Sequence, residues 1–502
     1  MRRNPELSSS NLMKAFGRKF RTTHVRSDDA EQIMAYHSEV FQHLLDNFFV
    51  AGSYPWEKDT EPKILFQLPD KIDVAKSFLP FLFPSPQKRT HLDITDYSMG
   101  LNYLFYTEAG DDYSFESLYF PQHTDCPYLF VMRYDVTPLT MPTFTHELDF
   151  KDLLLSCNPE CFPKTQICIC VRTKFPYYTL FKSFFQWIIQ AENVGRIEIL
   201  PKIDGYLSNK SYDFSSEIRT EESGGSLLVG ERVWPDNQRQ IMKDSLIFFL
   251  ITMPPERNAT IEYDAPPLPL FKWTRPDVEK SSRNLAIHCM HDVAKYITPD
   301  ILILIYSALC LERTIIIYHP TISIVCNFVM ACHFILRPFR WAGSSIAPLP
   351  KSLNDFLNSP TPIIVGIIDP LEEIQDNNAY LNLQSKKFKV LEKLPLISGH
   401  DELKSKLSEH WNKASEGDEE ALTTILDNIE QNCSQIYNNL KASIVACLSS
   451  NEKTKSTFVE ELFLERFQTK DRPFMKQMID SQMFRIAAEQ ECKLKSDSHT
   501  FA

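Results

Sequence analysis

Residues 301–368 read ILILIYSALCLERTIIIYHPTISIVCNFVMACHFILRPFRWAGSSIAPLPKSLNDFLNSPTPIIVGII. An apolar run over 301–311 stops at the adjacent charges Glu312 and Arg313. Residues 315–318 are β-branched and aromatic, the composition of a short buried strand. Pro320 suits the first turn of a helix, where its missing N–H costs nothing, and 321–336 then reads helical. Pro338 ends that helix, because a residue before proline avoids the α region. Pro350 opens a short helix with Leu353, Phe356 and Leu357 on one face, and Pro360 and Pro362 close it. Residues 363–368 are a second buried strand. Helix, strand, helix, loop, short helix, strand predicts a buried α/β layer. The piece 314–336 carries no Asp, Glu, Lys or Arg and has the length of a bilayer span. His319-Pro320 cuts it and Asn327 and His333 lie inside it, so it reads as core.

Working outward, 502 residues predict roughly two to four domains. A net charge of -12 argues against a nucleic-acid binder and against attraction of the whole surface to anionic lipid. The twelve cysteines are scattered, with no signal peptide before them, as expected for reduced thiols of a cytosolic protein. Residues 1–26 stand apart, with seven Lys or Arg against one acid. Three readings fit them: a disordered basic tail, a helix around Leu12, Met13, Phe16 and Phe20 that touches anionic membrane, or a transit peptide.

Along the chain, 28–47 is expected to be helical, with 48–52 and 63–68 as strands. Residues 97–106 look like a strand that turns at 109–112 and returns over 117–120. Residues 166–171 alternate strictly, and 175–189 is an amphipathic aromatic helix. Residues 201–239, rich in Ser, Asp, Glu and Gly, read as a mobile linker. A strand over 246–252, an extended proline-rich approach over 254–276 and a helix over 281–296 lead into the central stretch. Beyond it come a polar segment with a hairpin turn at Asp376-Asn377-Asn378, a long helix or helix pair over 418–448, and helical material over 458–488 turned at Arg472-Pro473. The expected organisation is a basic extension and helix over 1–40, a first lobe over 41–200, a linker over 201–239, a central region over 240–400 and a helical tail over 401–495.

Covalent chemistry is not legible in this chain. No two of its thirteen glycines are spaced as G-x-G, which excludes the dinucleotide fingerprint and a kinase-type phosphate loop. Gly225 to Glu231 (GSLLVGE) starts like a P-loop, but Glu231 stands where lysine is needed. Cys157, Cys161, Cys168 and Cys170 could in principle bind zinc, yet Cys168 and Cys170 alternate with Ile167, Ile169 and Val171 as strand residues do. His288, Cys289, His291 and Asp292 fall on one helix with no further ligands in place. No catalytic, cofactor or metal residue is assigned, and an interaction role is favoured over an enzyme with a small substrate.

The central stretch resembles the DENN family. The residues that carry the resemblance are Ala308 to Arg313, the helix that ends in Pro338-Phe339-Arg340-Trp341, then Ile346-Ala347-Pro348-Leu349-Pro350, the 353–357 helix, and Pro360-Thr361-Pro362-Ile363-Ile364-Val365-Gly366. Segments 48–52, 64–69 and 167–187 resemble the upstream part of the family's tripartite domain. Phe458 to Glu461, Arg472 to Phe474 and Ser481 to Phe484 resemble the downstream part. Ala347 departs from the family's usual larger residue. The resemblance implies an α/β (α+β) fold of two lobes, a longin-like first lobe and a larger α/β second lobe with a helical tail. It also implies guanine-nucleotide exchange on a Rab-type small GTPase in vesicle trafficking, without cofactor. Localisation would be cytoplasmic, with peripheral contact to vesicle or endosomal membrane through residues 1–26. A non-catalytic GTPase-binding scaffold and a DENN-fold GTPase-activating protein are the alternatives. Candidate interface residues are Lys351, Asn354, Asp355, Glu312 and Arg313. Pro338, Phe339, Trp341, Pro348, Pro350, Pro360, Pro362 and Gly366 are expected to shape the fold.

Overall fold

The computed structural model describes residues 43–69, 72–93, 113–123, 125–148, 153, 161–208, 236–266, 268–276, 278–371, 378–390, 394–448 and 454–498. It is a mixed α/β fold raised on two principal sheets. The first holds β1 (Asn47–Gly52), β2 (Lys63–Leu68), β3 (Thr90–Asp93), β4 (Ser114–Tyr119), β5 (Tyr128–Val136) and β6 (Cys161–Thr173). Its order is β2-β1-β6-β5-β4, with β3 on the opening residues of β6. Phe48 to Ala51 in β1 and Ile167 to Val171 in β6 are buried, as interior strands covered on both faces must be. Two short helices, α1 (Ile72–Lys76) and α2 (Leu79–Leu82), follow β2 in the chain. A long helix, α3 (Tyr178–Ser208), then α4 (Asp236–Ile251) and the hairpin of β7 (Thr260–Tyr263) and β8 (Phe271–Thr274) complete this lobe. An aromatic cluster joins them, with Phe249 centred 4.4 Å from Phe184 and 4.9 Å from Phe271.

The second lobe opens with α5 (Val278–Tyr296) and α6 (Pro299–Cys310). Thr298 caps α6 by accepting from Ile301 N–H, and Pro299 occupies its first turn. Then come β9 (Thr314–Tyr318), α7 (Ile322–Ile335), β10 (Ser344–Ile346), a 3-10 segment (Lys351–Asn358), β11 (Ile363–Ile367), β12 (Asn378–Asn382) and β13 (Lys387–Val390). The sheet order is β10-β11-β9-β12-β13, parallel except for the last pair. The tail consists of α8 (His400–Ser415), α9 (Glu419–Ala442), a ribbon of β14 (Ile444–Leu448) and β15 (Thr454–Phe458), and α10 (Glu460–Leu464), α11 (Arg472–Ile479) and α12 (Gln482–Ser498). No helix among the described residues is long and apolar enough to cross a membrane.

The structure corrects several sequence expectations. Residues 246–251 belong to α4: Met242, Leu246, Phe249 and Leu250 bury one helical face, a pattern that a short apolar run hides. Asn47 opens β1 and does not end a helix; residues 28–42 lie outside the described residues. The partner of β4 is β5, which sequence reading missed; residues 97–112 also lie outside. The hairpin turn falls at 383–386, where Lys386 has a φ of 52°, because Asn378 already pairs with Thr314. The long helix ends at Ala442, and Ile444 starts a strand. Phe458 ends the partner strand and is not helical. Arg472-Pro473 begins α11, since proline is accommodated in a first turn. The linker expected over 201–239 gives way to α3 up to Ser208 and to α4 from Asp236; residues 209–235 lie outside. The proline-rich approach contains the β7–β8 hairpin.

The two sheets share one apolar core. Helix α7 lies between the second sheet and β4 of the first. Gly366 makes this layer thin: a Cβ there would sit 2.0 Å from Val325 Cγ1 and 3.1 Å from Ala347 Cβ. The small Ala347 therefore lies where α7 and β11 come closest. On the far face of the second sheet, Ile316, Tyr318, Ile363, Val365 and Ile367 form a separate cluster. Leu353 and Leu357 of the 3-10 segment and Phe81 of α2 pack on it. Phe356, expected beside those leucines, is 43% exposed.

Candidate functional site

Where the lobes meet, a cleft of about 360 Å³ opens. One wall runs from Leu82 through the Pro84-Ser85-Pro86 turn to Thr90, and the floor comes from Arg133 and Asp135 of β5 and Lys164 to Gln166 of β6. The second lobe contributes Ile322, the first residue of α7, and Ile368, just beyond β11. Both lie at the carboxyl ends of parallel strands, the end at which α/β sheets generally bind ligands.

The first-lobe wall is held rigidly. Gln87 donates to the Gln166 carbonyl at 2.9 Å, and Ser53 Oγ donates to Gln87 Oε1 at 3.2 Å. Beneath it, Arg133 grips Glu116 through two parallel bonds, Nε–Oε1 at 2.7 Å and Nη2–Oε2 at 2.9 Å. Its Nη1 donates to Gln166 Oε1 at 3.2 Å, and its guanidinium lies 5.6 Å from the centre of the Phe83 ring. Arg133 is 6% exposed and Glu116 1%, so the pair is fully desolvated. Lys164 pairs with Asp135 at 3.1 Å. Lys88 is exposed and forms no ion pair among the described residues. The result is a cleft of mixed polar and apolar lining with a weakly cationic rim on an acidic molecule.

The candidate interface residues separate into two groups. Lys351 lies at the cleft end of the sheet, where its Nζ meets Asp369 at 3.2 Å, next to Ile368. Asn354 and Asp355 are exposed farther along the 3-10 segment. Glu312 and Arg313 precede β9 and sit at the opposite end, a full strand length away. Glu312 has a left-handed backbone (φ 49°) and its carboxylate accepts from Gln482 N–H at 2.6 Å and Met483 N–H at 2.7 Å. It thereby caps α12, where negative charge is favoured. Glu312→Ala should cost about 1–2 kcal/mol and loosen the tail, read as faster amide exchange confined to α12 in a chain whose sheets stay protected.

Several of the signature residues pack within the second lobe and its tail. Phe339 packs against Tyr437 at 5.0 Å and Phe484 at 6.1 Å, joining the central stretch to the tail. Trp341 donates to the Ser344 carbonyl at 3.3 Å. Pro348 and Pro350 are buried, Pro338 and Pro360 exposed, and Pro362 half-buried. Cys168 and Cys170 are buried thiols in β6, both pushed up by burial, Cys168 to about 12. His288 and Asp292 are joined through Asn327. Sequence reading missed Gln87, Lys88, Arg133, Lys164, Ile322 and Ile368 as cleft residues. They come from five separate segments, and no spacing rule links them.

Residues 248–383 match the family model described as the DENN (AEX-3) domain. The chain is 23% identical to DENN domain-containing protein 2A of Homo sapiens, over 37% of this chain and 20% of that protein. It is 27% identical to DENN domain-containing protein 2B of Homo sapiens, over 36% and 17%. It is 31% identical to DENN domain-containing protein 2D of Mus musculus, over 21% and 22%. The chain spans about a fifth of the length of these curated relatives. Residues 248–383 thus carry a DENN-domain match, and the chain is similar at low identity to several DENN domain-containing proteins.

Proposed function

We propose that this chain promotes GDP release from a Rab-type small GTPase, with the first lobe acting as a longin-like module. The observation that carries the reading is the DENN match over 248–383, because it covers the parallel sheet whose carboxyl ends border the inter-lobe cleft. A partner seated there meets both lobes at once. Lys88, Lys351, Asn354 and Asp355 are the residues this reading assigns to the interface, with Ile322 and Ile368 as apolar contacts. Arg313, at the other end of β9, would contact only a partner that extends along the sheet.

Exchange needs no acid, base or metal from this chain. The factor has only to bind the nucleotide-free GTPase better than the nucleotide-bound one. A thousandfold faster release corresponds to about 4 kcal/mol of such preference. The test is nucleotide release over a panel of Rab GTPases. At least one should release GDP faster, and Lys88→Glu should slow that release by about tenfold, roughly 1.4 kcal/mol at a rim charge. A GTPase that binds without faster release would make the chain a scaffold. Faster GTP hydrolysis, abolished by one Arg→Ala change, would make it an activating protein.

A further inference from the structure

The lobes are joined by two histidine contacts that the exchange reading does not use. The ring of His288 on α5 stacks on Tyr178 of α3 at 4.2 Å, and its Nδ1 is 3.0 Å from the Tyr178 hydroxyl. Its Nε2 is 3.3 Å from Asn327 Nδ2 on α7. That amide is oriented by Asp292, whose Oδ2 lies 2.7 Å from the same Nδ2. A carboxylate accepts, so Nδ2 is the donor toward both. Nε2 must then be the bare, accepting nitrogen, with the proton on Nδ1 directed at Tyr178. A second proton on Nε2 would set two donors against each other. Nearby charges do not compensate. Lys182 of α3 and His291 of α5 oppose a cation there, and Asp292 reaches the ring only through Asn327.

His333 on α7 meets the first lobe at β4, where its Nε2 partner is a hydroxyl that can donate or accept and the obstacle to a second proton is charge and burial. Its ring meets Tyr119 edge-on at 4.8 Å, and its Nε2 is 2.9 Å from Ser345 Oγ of β10. Arg337, two residues past the end of α7, opposes a second cation. Arg337 in turn faces Tyr119 and Tyr128 of the first lobe, Glu430 of α9 and Arg283 of α5.

From this geometry we infer that the lobe seam is a proton-sensitive latch: a proton on His288 opposes the Asn327 amide, a proton on His333 is buried beside Arg337, and either weakens the seam of α3 and β4 with α5 and α7, so that the lobes part before either unfolds. The inference goes beyond the exchange reading and stands without it. Burial, first, and neighbouring cations hold both rings down to about 4, against an ordinary 6.5. A histidine held neutral by the closed state stabilises it fully above pH 6.5 and loses that contribution as pH falls toward 4. Between pH 7.5 and 5 the opening equilibrium should rise roughly thirtyfold per histidine, and several hundredfold for both.

Cys289 is fully buried beside the seam, Cys168 lies inside the first lobe and Cys310 inside the second. Labelling of the three thiols by dithiodipyridine, which reacts in acid, is followed by peptide mass spectrometry and referred to a model thiol at each pH. Cys289 should lose protection several hundredfold between pH 7.5 and 5 while Cys168 and Cys310 keep theirs. His288→Phe and His333→Phe retain an aromatic ring, and each should remove about thirtyfold of that response. If either variant fails to fold, the wild-type profile decides alone. A flat Cys289 profile, loss of all three protections together, or folded variants that respond like wild type would each overturn the latch.

Discussion

Gly366→Ala is expected to destabilise the second lobe by about 3 kcal/mol or more, near the upper end of overpacking costs. The added methyl would sit 2.0 Å from Val325 Cγ1, well inside van der Waals contact. Val325 is fully buried and β-branched, with little rotamer freedom in a helix, so α7 itself would have to lift from β11. The displacement would carry to the first lobe, because α7 also packs on β4. Urea denaturation followed by far-UV circular dichroism would measure the loss. The double variant Gly366→Ala/Val325→Ala should be less destabilised than the sum of its parts, since removing the Val325 methyls makes room for the new one. Strict additivity would sink the account.

Arg133→Met should cost about 3–5 kcal/mol. The variant keeps most of the side-chain volume but leaves the Glu116 carboxylate, 1% exposed, without its cation. Ser114 Oγ, at 3.0 Å from Glu116 Oε1, is a poor substitute for a bidentate guanidinium. Replacing both partners, as Arg133→Met/Glu116→Met, should recover most of the stability, because a buried pair is often matched by apolar residues of similar size. The double variant then isolates a functional question. If nucleotide release falls while stability is restored, the charge pair supports the cleft wall beyond its contribution to folding, through Gln166 and Phe83.

The second lobe was largely legible. Residues 315–318 and 363–367 could hardly be anything but buried strands, and Pro320, Pro338 and Pro350 mark the boundaries between elements within a residue or two. The first lobe was less so. Tyr128 to Val136 went unnoticed as a strand because it is buried at nearly every position, which removes the alternation that sequence reading depends on. Residues 246–251 looked like a strand for the mirror-image reason: a short apolar run has no period to measure. Glu312 was legible as a residue with a duty but not as a cap, since its partners lie 170 and 171 residues away.

Local composition thus determined the layer of residues 301–368, its apolar strands and helices and its proline punctuation, because φ restriction and side-chain burial act over a few neighbouring residues. Tertiary structure alone decided that this layer is shared with the first lobe through α7, that Gly366 is the point of closest approach, and that a cleft forms from five distant segments. It also decided that His288 and His333 face tyrosines of the other lobe. These are contacts across long loops, and their energies depend on distance and desolvation that no spacing along the chain encodes.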